Sequence, residues 1–297
     1  MVWLMLALIS AFCLGIYDIF KKWSLRKNPV MPVLLIATLT GAIIFLPFII
    51  GSATGAISIN GFLYVPTYPL KVHGLFFLKS IIVGSSWIFA YYALKHLPIT
   101  IVTPIRSTAP VWVLIGAIIF FHEQLNRMQW LGLIITFVFF YAFSLAGKKE
   151  GIIFQKNKWI LFIVLATLIG STSSLFDKWL LLRYDRLAVQ AWFSVYLVIF
   201  MVPAVYLIWY PKRKKQPLVW TWAIPFIGIT LTIADFLYFY ALQLDDSLIS
   251  IISTIRRSSV MYSFFIGAYV FKEQNITRKA FLLIGILAGI ILIMSGS

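Results

Sequence analysis

Three arginines lie within long apolar stretches of the sequence, where an ionised side chain is costly. Arg106 lies about seven residues into one apolar run, and Arg256 and Arg257 lie nine and ten residues into another. Placing a charge in a membrane span costs roughly 2.5–3.5 kcal/mol on insertion scales, so such residues usually have a function. We expect these arginines to bind the carboxylate or phosphate of a solute. Snorkelling, or structural ion pairs with Asp235 or Asp18, is the alternative.

Other polar and aromatic residues share these segments. Hydroxyl groups close to the arginines could hydrogen-bond a solute or return a bond to the helix backbone. Aromatic rings could line a cavity and stack on a solute, or simply pack. The predicted substrate-binding set comprises Arg106, Arg256, Arg257, Thr103, Ser107, Ser253, Lys79, Trp87, Tyr91 and Tyr240.

Two carboxylates also fall within apolar runs. Asp235 lies near the middle of its run and Asp18 near the end of another. A buried carboxylate can hold a proton, so both residues are candidate proton-coupling sites, unless they form ion pairs with the arginines. We expect Glu123 and Glu273 to be architectural, through partners such as Arg278. Lys22 and Lys178 are expected to anchor the ends of their helices.

No known catalytic or metal-binding pattern occurs in the sequence. The three histidines are scattered, and neither HExxH, GxSxG nor the phosphate-binding pattern GxxxxGK[ST] occurs. We therefore expect no enzyme activity, no cofactor and no metal.

The segments that must position these residues are strongly apolar. Of the 297 residues, 62% are hydrophobic and 11% are charged, and the mean hydropathy is +0.96. Runs of about 20 apolar residues are long enough to cross a hydrocarbon core as helices. The sequence therefore predicts an all-α integral membrane protein with ten transmembrane helices, near residues 3–20, 31–51, 74–94, 99–121, 129–146, 159–182, 188–210, 219–242, 247–271 and 280–296.

The two halves of the chain resemble each other. Tyr92-Ala93-Leu94 corresponds to Tyr240-Ala241-Leu242, Ile105-Arg106 to Ile255-Arg256, and Phe121-His122-Glu123-Gln124 to Phe271-Lys272-Glu273-Gln274. Because each half would hold five helices, the halves should lie upside down relative to each other, as in many secondary transporters. We predict a first repeat at 1–147, a cytoplasmic linker at 148–158 and a second repeat at 159–297.

These motifs resemble the EamA family of the drug/metabolite transporter superfamily. The resemblance rests on the 5+5 arrangement, on Pro110 placed 13 residues before Glu123, and on the spacing from Gly15 to Lys22. It implies a ten-helix transporter. The family usually has Gly before the helix-4 glutamate, whereas this sequence has His122, and Lys272 in the second half.

Basic residues are unevenly distributed between the loops. Loops after odd-numbered predicted helices hold 16 of the 25 lysines and arginines, Lys21 and Lys279 among them. The positive-inside rule then places both termini outside the cytoplasm, contrary to the usual family orientation. We predict a multi-pass protein of the bacterial inner membrane, whose positive charge faces lipid rather than nucleic acid. Gly285 and Gly289 in helix 10 could pack within the bundle or form a homodimer.

Several functions fit these features. A secondary transporter of a small metabolite is favoured, with alternating access and with efflux or exchange of an anionic or zwitterionic, amino-acid-like solute. A flippase for a lipid-linked headgroup would use the same basic site. A membrane enzyme or a non-transporting membrane protein is less well supported.

Overall fold

The structure is a computed structural model of the chain. It describes residues 2–59, 61–109, 111–112, 115, 126–148, 154–181, 183–243, 259–273 and 275–295. Ten α-helices lie within these residues: α1 (Val2–Leu25), α2 (Val30–Ala53), α3 (Leu70–His96), α4 (Ile99–Ser107), α5 (Arg127–Lys148), α6 (Lys158–Leu181), α7 (Arg186–Ile208), α8 (Ala223–Gln243), α9 (Ser259–Phe271) and α10 (Ile276–Ser295). Short 3-10 turns lie at Phe154–Lys156 and Tyr210–Lys212.

Four of these helices are long and apolar enough to cross a membrane by themselves. They are α2, α3, α6 and α7. Parts of α5, α8 and α9 form shorter apolar helices of 10–17 residues. Many large apolar side chains on these helices face outward, such as Leu207 and Tyr269, which are 73% and 86% exposed. Such outward-facing apolar surface suits contact with lipid chains.

Prolines and one aspartate mark where several helices begin. Pro29, Pro69 and Pro98 occupy the cap positions before α2, α3 and α4, where a missing backbone N–H costs nothing. Before α7, a carboxylate oxygen of Asp185 accepts a hydrogen bond from the backbone N–H of Ala188 at 3.0 Å. Such a cap satisfies one of the helix's first donors.

Helix α4 is interrupted by a turn. The helix ends at Ser107, and Thr108 forms a turn in which its N–H binds the carbonyl of Ile105 at 3.2 Å. Ala109, Val111 and Trp112 are helical again. Pro104 removes one donor inside the helix.

The largest helix–helix contacts come in matching sets when the two halves are exchanged. Helix α1 packs on α8 and, equivalently, α6 packs on α3. Helix α2 contacts α8 as α7 contacts α3. The pairs α2–α7 and α5–α10 each join a helix to its own counterpart. These counterpart helices thus occupy equivalent places in the bundle.

Close approach of helices depends on glycine at a few positions. A β-carbon on Gly285 would lie 2.1 Å from the Phe139 ring, and one on Gly289 would lie 2.4 Å from the Thr136 hydroxyl. These two glycines therefore pack α10 against α5 within the chain. The homodimer stays a prediction, and a dimer through these glycines would have to displace α5.

The turn between α9 and α10 contains Lys272 in the left-handed region, with φ of 52°. Left-handed backbone favours glycine, because a β-carbon crowds the following carbonyl. The glycine that the EamA resemblance leads one to expect at this position would relieve that strain.

Candidate functional site

Arg106 belongs to a buried group of charges that we call the Asp18 cluster: Asp18, Lys21, Arg106 and Ser263. One oxygen of Asp18 lies 2.5 Å from Lys21 Nζ and 3.0 Å from an Arg106 nitrogen. The Ser263 hydroxyl donates to the other oxygen at 2.9 Å. Of the two predicted partners of Arg106, the structure thus provides Asp18, and α1, α4 and α9 meet there.

Lys21 was expected in a loop, and that expectation is wrong. Helix α1 continues to Leu25, so Lys21 is one turn beyond Asp18 on the same helix and is only 2% exposed. Its ammonium lies 4.0 Å from the centre of the Tyr17 ring and 5.4 Å from that of Tyr91. Two aromatic faces and one carboxylate therefore stabilise this buried cation.

The Asp18 cluster contains one more positive charge than negative. The Arg106 side chain remains 39% exposed, whereas that of Asp18 is 12% exposed. Asp18 compensates only one of the two cations, so the guanidinium can still attract an anion. Ser253, Arg256 and Arg257, the predicted counterparts in the second half, lie outside the described residues.

Several other predicted binding residues contact neighbouring parts of the chain. The hydroxyl groups of Thr103 and Ser107 donate hydrogen bonds to backbone carbonyls of their own helix, at 2.9 and 2.7 Å. Bonding to the helix backbone, rather than to a solute, was the alternative considered from the sequence. Lys79 pairs with Asp177 and lies 4.9 Å from the Phe193 ring. Tyr240 packs edge-on against Phe62 of the loop before α3, with ring centres 5.3 Å apart.

Trp87 and Asp235 line the same cavity. This cavity, the four-helix cavity, lies between α2, α3, α7 and α8 and contains about 380 Å³ of unfilled space including its open mouth. The lining residues that the structure describes are polar Thr38, Gln190, Ser194, Thr232 and Asp235, and apolar Ala37, Gly41, Phe45, Trp87, Phe193, Leu197, Gly228 and Leu231. The sequence analysis did not single out Thr38, Gln190, Ser194 or Thr232.

The partner expected for Glu273 differs from those found, whereas the contacts of Lys22 fit the anchor that was expected. The Glu273 carboxylate accepts hydrogen bonds from the backbone N–H groups of Ile99, at 2.8 Å, and Thr100, at 3.0 Å, so it caps the first turn of α4. Within the described residues it forms no ion pair with Arg278. Lys22 donates to the Leu94 and Leu97 carbonyls at the end of α3, as an anchor would.

A lysine of α10 stabilises the contacts between Glu273 and the start of α4. Lys279, which is fully buried, donates to the Thr100 hydroxyl at 2.9 Å, and that hydroxyl also bonds Glu273. The turn between α9 and α10 is thereby fastened to the start of α4, which joins the two halves. The architectural role expected for Glu273 fits this arrangement. Glu123 and the Lys178 side chain lie outside the described residues.

Comparison with known proteins places the chain among transporters. The profile of the EamA-like transporter family matches twice, at residues 1–145 and 157–295. A solved crystal structure shares the fold, with a TM-score of 0.59, 16% identity and 96% of each chain covered.

Short stretches also match curated proteins. A probable 4-amino-4-deoxy-L-arabinose-phosphoundecaprenol flippase subunit ArnE of Aeromonas salmonicida is 43% identical over 49 residues, and that of Aeromonas hydrophila is 39% identical over 49 residues. Each match covers 16% of this chain and 43% of the relative, less than half of its length.

The two family matches together span nearly the whole chain, and the apolar helices agree with a multi-pass membrane protein. The resemblance stated from sequence motifs is confirmed: this chain belongs to the EamA-like transporter family.

Proposed function

We propose that this protein is a secondary transporter that moves a small polar solute by alternating access between two inverted five-helix halves. The observation that carries the proposal is the packing pattern, in which the contacts of α1, α2 and α3 with α6, α7 and α8 are preserved when the two halves are exchanged. A chain built in this way has two arrangements of similar energy, in which the halves exchange roles. Ten membrane-crossing helices, five in each half, give the inverted topology.

The charges of the Asp18 cluster favour a solute that carries an acidic group. Arg106 is partly exposed and its cluster has an excess positive charge, so a carboxylate or phosphate can take the place beside it. Asp18 forms ion pairs with both Lys21 and Arg106, and it is the proposed proton-coupling group of the first half. Arg256 and Arg257 are proposed to do the same work in the second half, with Asp235 as the second coupling candidate.

The charge bias supports the proposed orientation even after one correction. Lys21 and Lys279 are buried in the bundle, 2% and 0% exposed. They therefore do not indicate on which side of the membrane a loop lies. Subtracting these two from the 16 residues counted leaves 14, against four in the other loops. We propose that both termini lie outside the cytoplasm of a bacterial inner membrane.

Counterflow into proteoliposomes tests the proposal. Pooled radiolabelled amino acids and organic acids are offered with and without a pH gradient, to the native protein and to the Arg106→Gln variant. We expect saturable flux that is lost in Arg106→Gln. The matched control is Arg183→Gln, because Arg183 is an exposed cation that stacks on Trp179 at 4.2 Å, away from the Asp18 cluster, and its loss should leave flux unchanged.

Two results would contradict the proposal. The absence of flux for every water-soluble pool in monodisperse native protein would contradict transport of a soluble metabolite. Equal flux in the native and Arg106→Gln proteins would show that the arginine is structural.

A flippase for a lipid-linked headgroup is the second candidate. The observation that favours it is the 49-residue similarity to ArnE flippase subunits, whose named lipid carries both an amino sugar and a phosphate. A flippase needs a lateral opening between helices through which a lipid tail can stay in the bilayer. Movement of a fluorescent phosphoprenol across the vesicle bilayer, together with no flux of soluble pools, would select this function.

A further inference from the structure

The connection between α7 and α8, residues 209–222, carries a run of basic residues and no acidic one. We call this segment the basic loop. Lys212, Arg213, Lys214 and Lys215 follow one another in it, and all of them are exposed. None of them takes part in the ion pairs of the described residues. The loop therefore presents a concentrated positive charge at the end of a membrane-crossing helix.

Backbone hydrogen bonds give the basic loop a defined shape. The N–H of Lys212 donates to the Trp209 carbonyl at 2.8 Å, and the N–H groups of Lys215 and Gln216 donate to the Lys212 carbonyl at 3.0 and 2.9 Å. The indole N–H of Trp209 closes the loop by donating to the Gln216 carbonyl at 2.9 Å. Because the backbone is already ordered, a ligand that binds the loop loses little free energy in fixing it.

The basic loop is also fastened to the first half of the chain. The Val219 N–H donates to the side-chain oxygen of Asn28 at 2.7 Å, and the Lys95 ammonium donates to the Asn28 carbonyl at 2.7 Å. Asn28 follows the end of α1 and is 1% exposed, and Lys95 lies in the last turn of α3. The ends of α1, α3 and α7 therefore meet on one face of the bundle, and the basic loop is part of that face.

An aromatic stack leads from α7 to the basic residues. The Tyr206 and Tyr210 rings stack with their centres 5.1 Å apart, and the Arg213 guanidinium lies 3.7 Å from the centre of the Tyr210 ring. One guanidinium nitrogen of Arg213 also donates to the Tyr210 carbonyl at 3.2 Å. A guanidinium has several N–H donors in a planar fork, so this contact orients the group and leaves donors for an oxyanion.

Large apolar side chains flank the basic loop on both sides. Tyr206 and Leu207 at the end of α7 are each more than half exposed, as are Trp220 and Trp222 just before α8. Tyrosine and tryptophan at the end of a membrane-crossing helix lie at the level of the lipid headgroups. The loop thus places cations beside rings, and a phospholipid places its phosphate beside the start of its acyl chains in the same way.

We propose that the basic loop is a binding site for an anionic phospholipid of the bilayer. Arg213 donates to the phosphate oxygens, the three lysines attract the net negative charge, and Trp220 and Trp222 pack beside the first carbons of the chains. A zwitterionic headgroup binds less well, because its own cation lies among those of the loop. A soluble anion would use the cations but not the exposed rings. This inference goes beyond the proposed transport and does not depend on which solute is moved.

A fluorescent label on the basic loop can measure lipid binding. The chain has one cysteine, so a Cys13→Ser background is free of thiols, and Gln216→Cys then gives a single exposed thiol. The hydrogen bonds of Gln216 to Lys212 and Trp209 use its backbone atoms, so the substitution leaves them in place. The thiol is labelled with bimane, and its emission is followed as lipid is added to the protein in dodecyl maltoside micelles.

Phosphatidylglycerol and phosphatidylcholine with the same oleoyl chains are compared. We expect phosphatidylglycerol to half-saturate the change in emission at about tenfold lower mole fraction, because it alone carries a net negative charge. Lys214→Gln together with Lys215→Gln should bring the two lipids to within about twofold, and Lys214→Arg together with Lys215→Arg should keep the preference.

A matched control removes two other exposed cations. Lys71 lies at the start of α3, the opposite end of that helix from Lys95, and Arg183 follows α6. Lys71→Gln together with Arg183→Gln lowers the net charge by the same amount and should leave the preference unchanged. An equal loss of preference in this control would show that total charge, rather than the basic loop, attracts the lipid, and would overturn the proposal.

The role of the guanidinium is tested separately. Arg213→Lys keeps the charge but loses the planar fork that lies over Tyr210, and should weaken phosphatidylglycerol binding by about threefold. Unchanged binding would contradict the contact assigned to Arg213.

Soluble anions distinguish a lipid from other occupants. Inorganic phosphate and a polyglutamate peptide, at the same concentration of charge, should not reproduce the change in emission. A response to either that equals the response to phosphatidylglycerol would overturn the assignment to a lipid. Equal half-saturation by the two lipids, or a preference that survives Lys214→Gln with Lys215→Gln in monodisperse protein, would overturn the site itself.

Discussion

Replacing Asp18 by Asn should destabilise the protein strongly, and mainly through Lys21. The ammonium of Lys21 is 2% exposed and lies 2.5 Å from the carboxylate, so the substitution leaves a buried cation without its counter-ion. Removing one partner of a buried ion pair costs about 3–5 kcal/mol. Arg106 loses the same partner, but its side chain is 39% exposed and can be hydrated.

A double-mutant cycle isolates the contribution of the pair. Lys21→Met keeps the length of the side chain and removes its charge, while Asp18 retains Arg106 and Ser263. In this background, Asp18→Asn should cost only about 1.5–3 kcal/mol, the usual cost of losing a hydrogen bond to a charged group. The coupling free energy is then about 2 kcal/mol.

Reversible unfolding in mixed micelles measures these free energies. The fraction of sodium dodecyl sulfate is raised, and helix content is followed by circular dichroism for the native protein, both single variants and the double variant. The Lys79–Asp177 pair serves as a comparison, because its carboxylate side chain is 35% exposed and its coupling should be about 1 kcal/mol or less. Additivity at Asp18 and Lys21 to within about 0.5 kcal/mol would refute the assignment of Asp18 as the counter-ion of Lys21.

Three further predictions follow from single contacts. Glu273→Gln removes the charged cap of α4 and should cost about 1 kcal/mol, with faster hydrogen exchange at the Thr100 amide; unchanged exchange would contradict the cap. Gly228→Ala brings a β-carbon to 2.4 Å from a backbone carbonyl of α2 and should cost about 1–3 kcal/mol by micelle unfolding, whereas Gly41→Ala, in ordinary contact, should cost less; equal costs would refute the close approach of α2 and α8. Lys272→Gly should raise the unfolding free energy by about 0.5–1 kcal/mol, because it relieves a left-handed backbone, and a loss of stability would contradict that strain.

Much of the fold follows from local properties of the sequence. Apolar runs of about 20 residues predict helices because the backbone must satisfy its own hydrogen bonds in lipid, and eight of the ten predicted spans overlap the described helices along most of their length. In the other two, helix α4 covers 99–107 of the span 99–121, and helix α9 covers 259–271 of the span 247–271; much of the remainder of both spans is outside the described part. The family also follows from the sequence, because repeated motifs mark it in both halves.

The site could be predicted only in part. The cost of burying charge identified Arg106 and Asp18 as residues that need partners, and the structure pairs them. The same argument missed Lys21, because a helix end was placed five residues too early and the lysine was counted with a loop. Equivalent positions in the two halves, such as Thr38 and Ser194, were a usable signal for the cavity that motif matching overlooked.

The sequence by itself determined that the chain is helical and apolar, that it repeats internally, and that a few charges lie deep in it. These properties depend on composition and on neighbours within one helix. Only the tertiary structure decided that Glu273 caps α4 rather than pairing with Arg278, and that Trp87 and Asp235 face one cavity. Contacts of this kind depend on the rotation and tilt of each helix against its neighbours, which packing of the whole bundle sets and no local spacing encodes.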